Sequence, residues 1–518
     1  MQFLSRLLQQ ISYEKVIGET DREVSLICCH SAKVQKDALF VCISGFSANG
    51  HEYIPKALER GAGVIVADYR YVTESRQGPM ILTECTKVSF SDIWKRKSIT
   101  LVLVKDTRRA LSALSAAFYN FPATRLKMIG ITGTNGKTTT MYMIAGILQH
   151  AGYRVGTIGT INAFDGRKEE TNYNTTPESC EIHRLLAQMA DNGCDCCVME
   201  VSSQGIAYGR VSDICFDIGI FLNIEPDHIG RGEHSSFSEY LHCKSQLMRQ
   251  CLVGIVNRDD LNVLRILAGH TCGMVKTFAL SYPSDVMAEN IQYTMDAGRL
   301  TSTFTVRSRS VKYMAKTKLP GRFNVYNALA AIAAAEQLDV PPGIIQESLL
   351  GQKIPGRCEN LTEGKEYTIL VDYAHNEQGL KNLLLALKEL KPGRLVVIFG
   401  CGGNRSELRR SRMGETAGKL ADYTILTSDN PRWEDEEHIL DQIEDGISRT
   451  TDREHYCRIT DRREAIRYAI NHAKRGDLIV IAGKGHENYQ EIKGVRYPLD
   501  DRRIVQEELD GGVCKYNC

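Results

Sequence analysis

A lysine and three threonines close a glycine-rich stretch at Gly130–Thr140, which reads G-I-T-G-T-N-G-K-T-T-T. The apolar run Met128–Ile131 ahead of it is strand-like, and Thr138–His150 behind it has the pattern of a helix. A loop in that setting can aim successive backbone N–H groups, and the positive end of the helix, at a phosphate. Gly133, Thr134, Asn135, Gly136, Lys137, Thr138 and Thr139 are therefore predicted to cradle the phosphates of a nucleotide. Lys137 would neutralise β/γ-phosphate charge, and the Thr138 hydroxyl would ligate Mg²⁺. The spacing departs from the usual phosphate loop, because Ile131 stands where its first glycine would be. A plain flexible turn containing Gly-Lys-Thr is the local alternative, and the strand-to-helix context argues against it.

Two further groups could serve a phosphoryl transfer. Glu200 ends a strand-like run and offers a hard oxygen ligand, and His228 follows another such run. Taken singly, Glu200 reads as a strand-end salt bridge and His228 as a turn histidine; following a phosphate loop, they read as metal ligands. Tyr240 and Lys244, four residues apart, share a helix face. In the C-terminal third, Arg405, the segment Asp429, Asn430, Pro431 and Arg432, and the pair Gly483 and Glu487 each follow a strand-like run. Strand carboxyl ends line the ligand crevice of open α/β sheets. Two arginines with two carboxylates suit a zwitterion that carries one extra acid and one extra amine. Arg432 can clamp a carboxylate with two parallel bonds, and Glu487 can pair with an amine. In isolation Asp-Asn-Pro-Arg is an ordinary turn.

Elements must hold these groups. At 518 residues the chain is long enough for three domains. Short strands at Ala38–Ile43 and Gly63–Ala67, around a helix at Tyr53–Arg60, belong to residues 1–108. Residues 109–337 alternate strand and helix, with strands at Cys197–Val201 and Ile218–Leu222 and an Ala-rich helix at Asn327–Leu338. Residues 338–518 restart the alternation, with strands at Thr368–Asp372, Leu395–Phe399, Tyr423–Thr427 and Leu478–Ala482. This is an α/β pattern with mostly parallel sheets. Apolar content of 43% and charged content of 25% are ordinary for a globular protein, and a net charge of +1 suggests neither a nucleic-acid nor a membrane partner. The N-terminus lacks the make-up of a signal peptide. The 17 cysteines form no zinc pattern, since Cys194 and Cys197 have no second such pair, and they read as reduced structural thiols of a cytoplasmic protein.

The stretch T-G-T-N-G-K-T-T-T resembles the loop of the Mur ligase family and of its relatives, the folylpolyglutamate and cyanophycin synthetases. The resemblance runs nearly end to end, toward the branch that adds the third amino acid to a peptidoglycan precursor. It implies three domains: a central P-loop ATPase-like domain, an N-terminal UDP-binding α/β domain and a C-terminal Rossmann-like α/β domain. It implies ATP, two Mg²⁺ ions, and a carbamylated Lys244 acting with Thr138, Glu200 and His228 on the metals. Ser31 matches a uridine-diphosphate contact, although the usual Asp-Ser-Arg reads His30, Ser31, Ala32. Asn174, Thr175 and Thr176, with Ser202 and Arg210, match the grip on UDP-N-acetylmuramoyl-L-alanyl-D-glutamate; Tyr208 stands where the family often has Gln. Asn327 matches a position near adenine, Arg357 one at the γ-phosphate and Asp372 one at the ribose, although locally they read as a loop cation (Arg357) and a strand-end cap (Asp372). The Asp-Asn-Pro-Arg segment implies meso-diaminopimelate as the added residue, with L-lysine the alternative. The enzyme is expected to be a cytoplasmic monomer with no nucleic-acid or membrane partner. A folylpolyglutamate-type ligase and a non-catalytic paralogue are the remaining readings.

Overall fold

The computed structural model describes residues 1–45, 48–75, 78–82, 87–89, 99–172, 174–227, 229–230, 234–296, 298–308, 311–405 and 407–511. The chain divides into two compact units, Met1–Met141 with Gly152–Lys276, and Tyr142–Ala151 with Thr277–Cys518. Among the described residues no helix is long and apolar enough to cross a membrane.

Two sheets of the first unit position its site. The N-terminal one runs in the order Lys15–Ile17, Thr100–Val104, Ala62–Asp68, Ala38–Val41, Leu26–Cys28, and all pairs but the first are parallel. Its inner strands Ala38–Val41, Ala62–Asp68 and Thr100–Val104 are short, largely apolar runs buried on both faces, which suits a parallel sheet. The second sheet has Lys127–Thr132 at its centre. That strand pairs in parallel with Cys196–Glu200 on one side and Phe216–Phe221 on the other; Val155–Ile158 and Cys251–Asn257 flank these in turn. The carboxyl ends of the central strands therefore share one edge, where the loops after Thr132, Glu200 and Phe221 leave the sheet.

The second unit contains an antiparallel meander, Val286–Asp296, Arg299–Ser308 and Val311–Thr317. This departs from the strand-helix alternation expected for residues 109–337. Its polar and apolar residues alternate, as in T-S-T-F-T-V, so the sheet is half-exposed and has no long apolar run to reveal it. The helix expected at Asn327–Leu338 starts earlier, at Arg322, because Gly321 at φ 93° supplies a turn that a side chain would resist. The C-terminal sheet runs Glu359–Asn360, Thr368–Asp372, Asp477–Ala482, Arg394–Phe399, Tyr423–Leu426, Tyr456–Arg458, parallel after its first pair. Strand Arg394–Phe399 lies between the last long strand of the chain and its own successor. Its carboxyl end is thus the point where the strand order reverses.

Two buried histidines in the first unit differ in how they are satisfied. His51 receives the Asp68 N–H on Nε2 at 3.0 Å and faces Asn49 Oδ1 across 2.7 Å from Nδ1. His183, on the helix Ser179–Asp191 among Ile182, Leu185 and Leu186, has no hydrogen-bond partner on either nitrogen among the described residues. Burial drives its pKa down to about 4 from an ordinary 6.5. The unfolded chain therefore takes up that proton first. The stability this histidine contributes is present above pH 6.5 and is lost as pH falls toward 4, by up to about 3 kcal/mol. His183→Leu is expected to leave stability at pH 7 unchanged or raised by about 1 kcal/mol, since no buried polar group remains unpaired, and to flatten the decline between pH 6.5 and 4. Urea unfolding of both proteins at pH 7 and pH 5 checks this; equal losses on acidification would contradict it.

Candidate functional site

The phosphate loop is held from behind. Asn223, just after strand Phe216–Phe221, accepts the Thr134 N–H on its carbonyl at 3.0 Å, accepts the Asn135 N–H on Oδ1 at 3.0 Å, and donates from Nδ2 to the Asn135 carbonyl at 3.0 Å. The Thr134 hydroxyl lies 3.1 Å from the buried Tyr240 hydroxyl and accepts the Glu225 N–H at 3.1 Å. Gly136 adopts φ 90°, which a side chain would strain. Lys137 folds back, donating to the carbonyls of Gly133 at 2.9 Å and Thr134 at 3.0 Å. Lys244 donates to the same Gly133 carbonyl at 2.8 Å. Lys244 is only 2% exposed, so it is not the solvated surface lysine its local sequence suggests. Burial, reinforced by the nearby positive charge of Lys137, holds its amine well below the usual lysine range.

Glu200 is fully buried at its strand end. The Thr138 hydroxyl stands 3.0 Å from both its oxygens, and Thr160 donates its N–H at 2.7 Å and its hydroxyl at 3.0 Å. These partners are hydroxyls and an amide, not the cation of a strand-end salt bridge. A Cβ on Gly159 would stand 2.5 Å from Glu200 Oε1, so that approach requires glycine. A carboxylate and a hydroxyl converging beside a phosphate loop are the hard oxygen donors that suit Mg²⁺. Thr138 and Glu200 are the ligands that fit it. His228 lies outside the described residues. Among those described, no three His, Cys, Asp or Glu side chains are grouped to hold a metal.

The expected substrate segment meets the same strand end. The Thr176 hydroxyl donates to the Glu200 carbonyl at 2.9 Å and accepts the Ser202 N–H at 2.9 Å, and the Thr175 and Thr160 hydroxyls are 3.0 Å apart. Asn174 is exposed beside them. Ser202 caps the helix Ser203–Ala207 through the Gly205 N–H at 3.0 Å. Arg210 donates to the Thr176 carbonyl at 2.9 Å and to Glu178 at 2.5 Å. Ser31 is buried in the short turn Ser31–Lys33, which is tied to the helix Ser179–Asp191 by the pair Lys33–Glu181. His30 accepts the Ala32 N–H on Nδ1 at 3.2 Å, a capping bond of the kind an aspartate also makes.

In the second unit, an open cavity lies where the strand order reverses. Arg405, Asp429, Asn430, Arg432, Gly483 and Glu487 all line it, so the three segments expected to read an amino acid do converge. Pro431 belongs to the wall behind: a Cβ on Gly403 would stand 1.9 Å from its carbonyl oxygen. Arg432 holds a left-handed backbone, φ 55°, uncommon for a non-glycine residue and costing on the order of 1 kcal/mol. Backbone bonds to the hairpin Tyr489–Pro498, from Arg432 N to the Glu491 carbonyl and from Lys493 N to the Arg432 carbonyl, enforce it. The guanidinium donates to the Gly403 carbonyl at 2.8 Å and lies 3.5 Å from Glu491. Glu487 Oε2 accepts from Asn430 at 2.9 Å and from Lys484 at 3.0 Å. The sequence reading omitted Lys484, which is fully buried and also donates to Asn430 Oδ1 at 3.0 Å. Its signal was the lysine between two glycines.

Asn327, Arg357 and Asp372 belong to this second unit. Asn327 is buried and donates to Asn324 at 3.2 Å. The Arg357 guanidinium carbon lies 4.6 Å from the Tyr373 ring centre. Asp372 accepts the N–H groups of Cys358 and Ala374, each at 2.8 Å, and burial raises its pKa. Locally it is a strand-end cap. Thr160, Gly159 and Asn223 were also missed as site residues, because each acts by bracing and carries no motif of its own. Asn223→Ala removes both side-chain bonds that brace the loop. It is expected to weaken Mg-ATP binding by roughly 10-fold, measured by calorimetry; unchanged affinity would show that the loop needs no brace.

Three family models match the chain: the Mur ligase family, catalytic domain over residues 23–119, the Mur ligase middle domain over 131–335, and the Mur ligase, glutamate ligase domain over 356–485. A UDP-N-acetylmuramoyl-L-alanyl-D-glutamate--2,6-diaminopimelate ligase from Caldanaerobacter subterraneus subsp. tengcongensis is 38% identical, covering 97% of this chain and 98% of the relative. A ligase of the same name, numbered 1, from Clostridium acetobutylicum is 37% identical over 97% of this chain and 98% of its own. A solved structure of a ligase of that name superposes with a TM-score of 0.65 at 26% identity, covering 99% of this chain and 100% of the other. A braced phosphate loop, a buried carboxylate beside it and near-complete coverage by its relatives lead to one conclusion: this chain belongs to the Mur ligase family.

Proposed function

We propose that the chain is an ATP-dependent ligase that joins meso-diaminopimelate to UDP-N-acetylmuramoyl-L-alanyl-D-glutamate through an amide bond, in peptidoglycan precursor synthesis. The observation that carries the choice of amino acid is Arg432, held in a strained backbone at the reversal of strand order, opposite Glu487. An amino acid with a second ammonium and a second carboxylate matches that pair; L-lysine, the alternative, lacks the acid. The names of the relatives support the same reading. Residues 1–108 are assigned to the UDP end of the substrate, 109–337 to ATP and 338–518 to the amino acid, and the three family-model matches support this division.

The carboxylate of the D-glutamate attacks the γ-phosphate of ATP, giving an acyl phosphate and ADP; the amine then displaces phosphate. Loop N–H groups from Gly133 to Thr138 bind the triphosphate, and Lys137 turns from the loop carbonyls to the transferring group. Thr138 and Glu200 would hold Mg²⁺, with His228 and Lys244 assigned to a second ion. Bound there, the metal neutralises charge that develops on the phosphoryl oxygens. Lys244 suits carbamylation, because a buried amine with a depressed pKa is the neutral form that takes up carbon dioxide. Asn174, Thr175, Thr176, Ser202, Arg210 and Ser31 are assigned to the nucleotide-linked dipeptide. Asn327, Arg357 and Asp372 are assigned to the nucleotide. These substrates fit a cytoplasmic enzyme, which we take to act as a monomer.

Purified protein given ATP and the UDP-linked dipeptide is expected to release phosphate with meso-diaminopimelate and far less with L-lysine. Preference for lysine would overturn the choice of amino acid, and no phosphate with either would overturn the ligase reading. Arg432→Ala should lower kcat/KM for meso-diaminopimelate by roughly 100-fold while changing the value for lysine little. Equal losses for both would remove Arg432 from the reading of the distal acid.

A further inference from the structure

Tyr208 is flanked by two guanidiniums. The Arg108 guanidinium carbon lies 4.3 Å from its ring centre and that of Arg210 lies 5.5 Å away. Both arginines address one carboxylate: Arg210 Nη2 donates to Glu178 Oε1 at 2.5 Å, and Arg108 Nη1 lies 3.9 Å from Glu178 Oε2. Arg108 is fixed at its other end, where Nη2 donates to the Ser44 carbonyl at 3.0 Å. Two donors in the cluster stay unused. Arg108 Nη1 and Arg210 Nε are shielded from solvent and have no hydrogen-bond partner among the described residues. Two positive charges share a single carboxylate, so one positive charge is left over beside Thr176, whose carbonyl Arg210 holds at 2.9 Å.

Buried guanidinium N–H groups without acceptors are costly, and an oxyanion relieves that cost with charge-assisted bonds. Stacking on a tyrosine face suits a weakly hydrated guanidinium and fixes its plane. We infer that Arg108 is a further binding residue of this enzyme, forming with Arg210 a two-guanidinium clamp for an oxyanion of the nucleotide-linked peptide. The oxyanion is either a phosphate of the diphosphate or a carboxylate of the dipeptide. Glu178 keeps the two cations together and leaves the spare charge for the ligand. The inference rests on the proposed identity of that substrate.

The test uses the full chain with Arg108→Ala and with Arg108→Gln, the latter keeping part of the stem and a polar tip should the alanine variant fold poorly. The KM for UDP-N-acetylmuramoyl-L-alanyl-D-glutamate is expected to rise roughly 10- to 100-fold. The KM values for ATP and the amino acid, and kcat, should stay within about twofold, as loss of uniform binding requires. Competition by UDP alone and by the N-acetylmuramoyl dipeptide without nucleotide identifies the partner: whichever competitor loses potency in the variant carries the oxyanion, and either result supports the clamp. An unchanged KM for the UDP-linked dipeptide overturns it, and so does a parallel rise in all three KM values, which marks a structural role. Wild-type protein that neither binds nor turns over the UDP-linked dipeptide defeats the functional reading and this inference together. Wild-type turnover with an indifferent variant defeats this inference alone.

Discussion

Glu200 is an acid sealed inside a sheet edge, and the first unit's chemistry is arranged around keeping it satisfied. An unpaired buried carboxylate costs several kcal/mol, so its oxygens must find donors. They find them on the first turn of the phosphate-loop helix, through Thr138, and on the turn after strand Val155–Ile158, through Thr160. Its backbone carbonyl takes a third partner, Thr176. One residue thus ties together the nucleotide loop, the turn carrying Gly159 and the segment assigned to the peptide. Those are the three parts that a phosphoryl transfer to a peptide carboxylate must bring together, and their meeting follows from hydrogen-bond satisfaction at a single buried atom group.

The second unit solves a similar problem with an ion pair. Arg462 and Asp501 are both fully buried and joined by bonds of 2.8 and 2.7 Å. The same guanidinium reaches the carbonyls of Ser428 at 3.4 Å and Ala482 at 3.0 Å. Those carbonyls precede Asp429 and Gly483, the first pocket residues of their strands. Removing one partner of such a pair costs about 3–5 kcal/mol, although the pair itself need not add net stability. Its value lies in placement: it ties the ends of the two strands that flank Arg394–Phe399, and the residues that follow them face one cavity.

What was legible in the sequence followed the physics of each signal. Most of the long buried parallel strands were legible to within a residue or two, because double burial leaves unbroken apolar runs such as Leu395–Phe399, but Val155–Ile158 and Cys251–Asn257 were not. The meander at residues 286–317 was not, since a half-exposed antiparallel sheet shows only alternation. Groups proposed to touch a ligand announced themselves by type and place after a strand: Lys137, Glu200, Arg432 and Glu487 all did. Groups that act through others did not. Asn223 braces through its side-chain amide and its carbonyl, Gly159 by having no side chain, and Lys484 by bonding Asn430 and Glu487 at once, and none of these has a periodicity. The residues around Lys244 carry no mark of its burial. Only the fold shows that its helix faces inward.

The hairpin Tyr489–Pro498 bears on how sharply the pocket can discriminate. A site built to pair a substrate group rejects analogues lacking it by about 10⁴-fold or more when its own buried group is then left unpaired. Arg432 would impose such a penalty on lysine if its guanidinium had no other acceptor. It has two, the Gly403 carbonyl at 2.8 Å and Glu491 at 3.5 Å, and it is 27% exposed. Both acceptors, and the water that reaches it, cushion the loss when the distal acid is missing. The discrimination that follows is on the order of 10²-fold, the worth of one charge-assisted contact pair in a partly solvated setting. On the proposed reading, the strained backbone of Arg432 would sharpen aim more than deepen affinity, fixing where a second carboxylate sits while leaving the cost of its absence moderate.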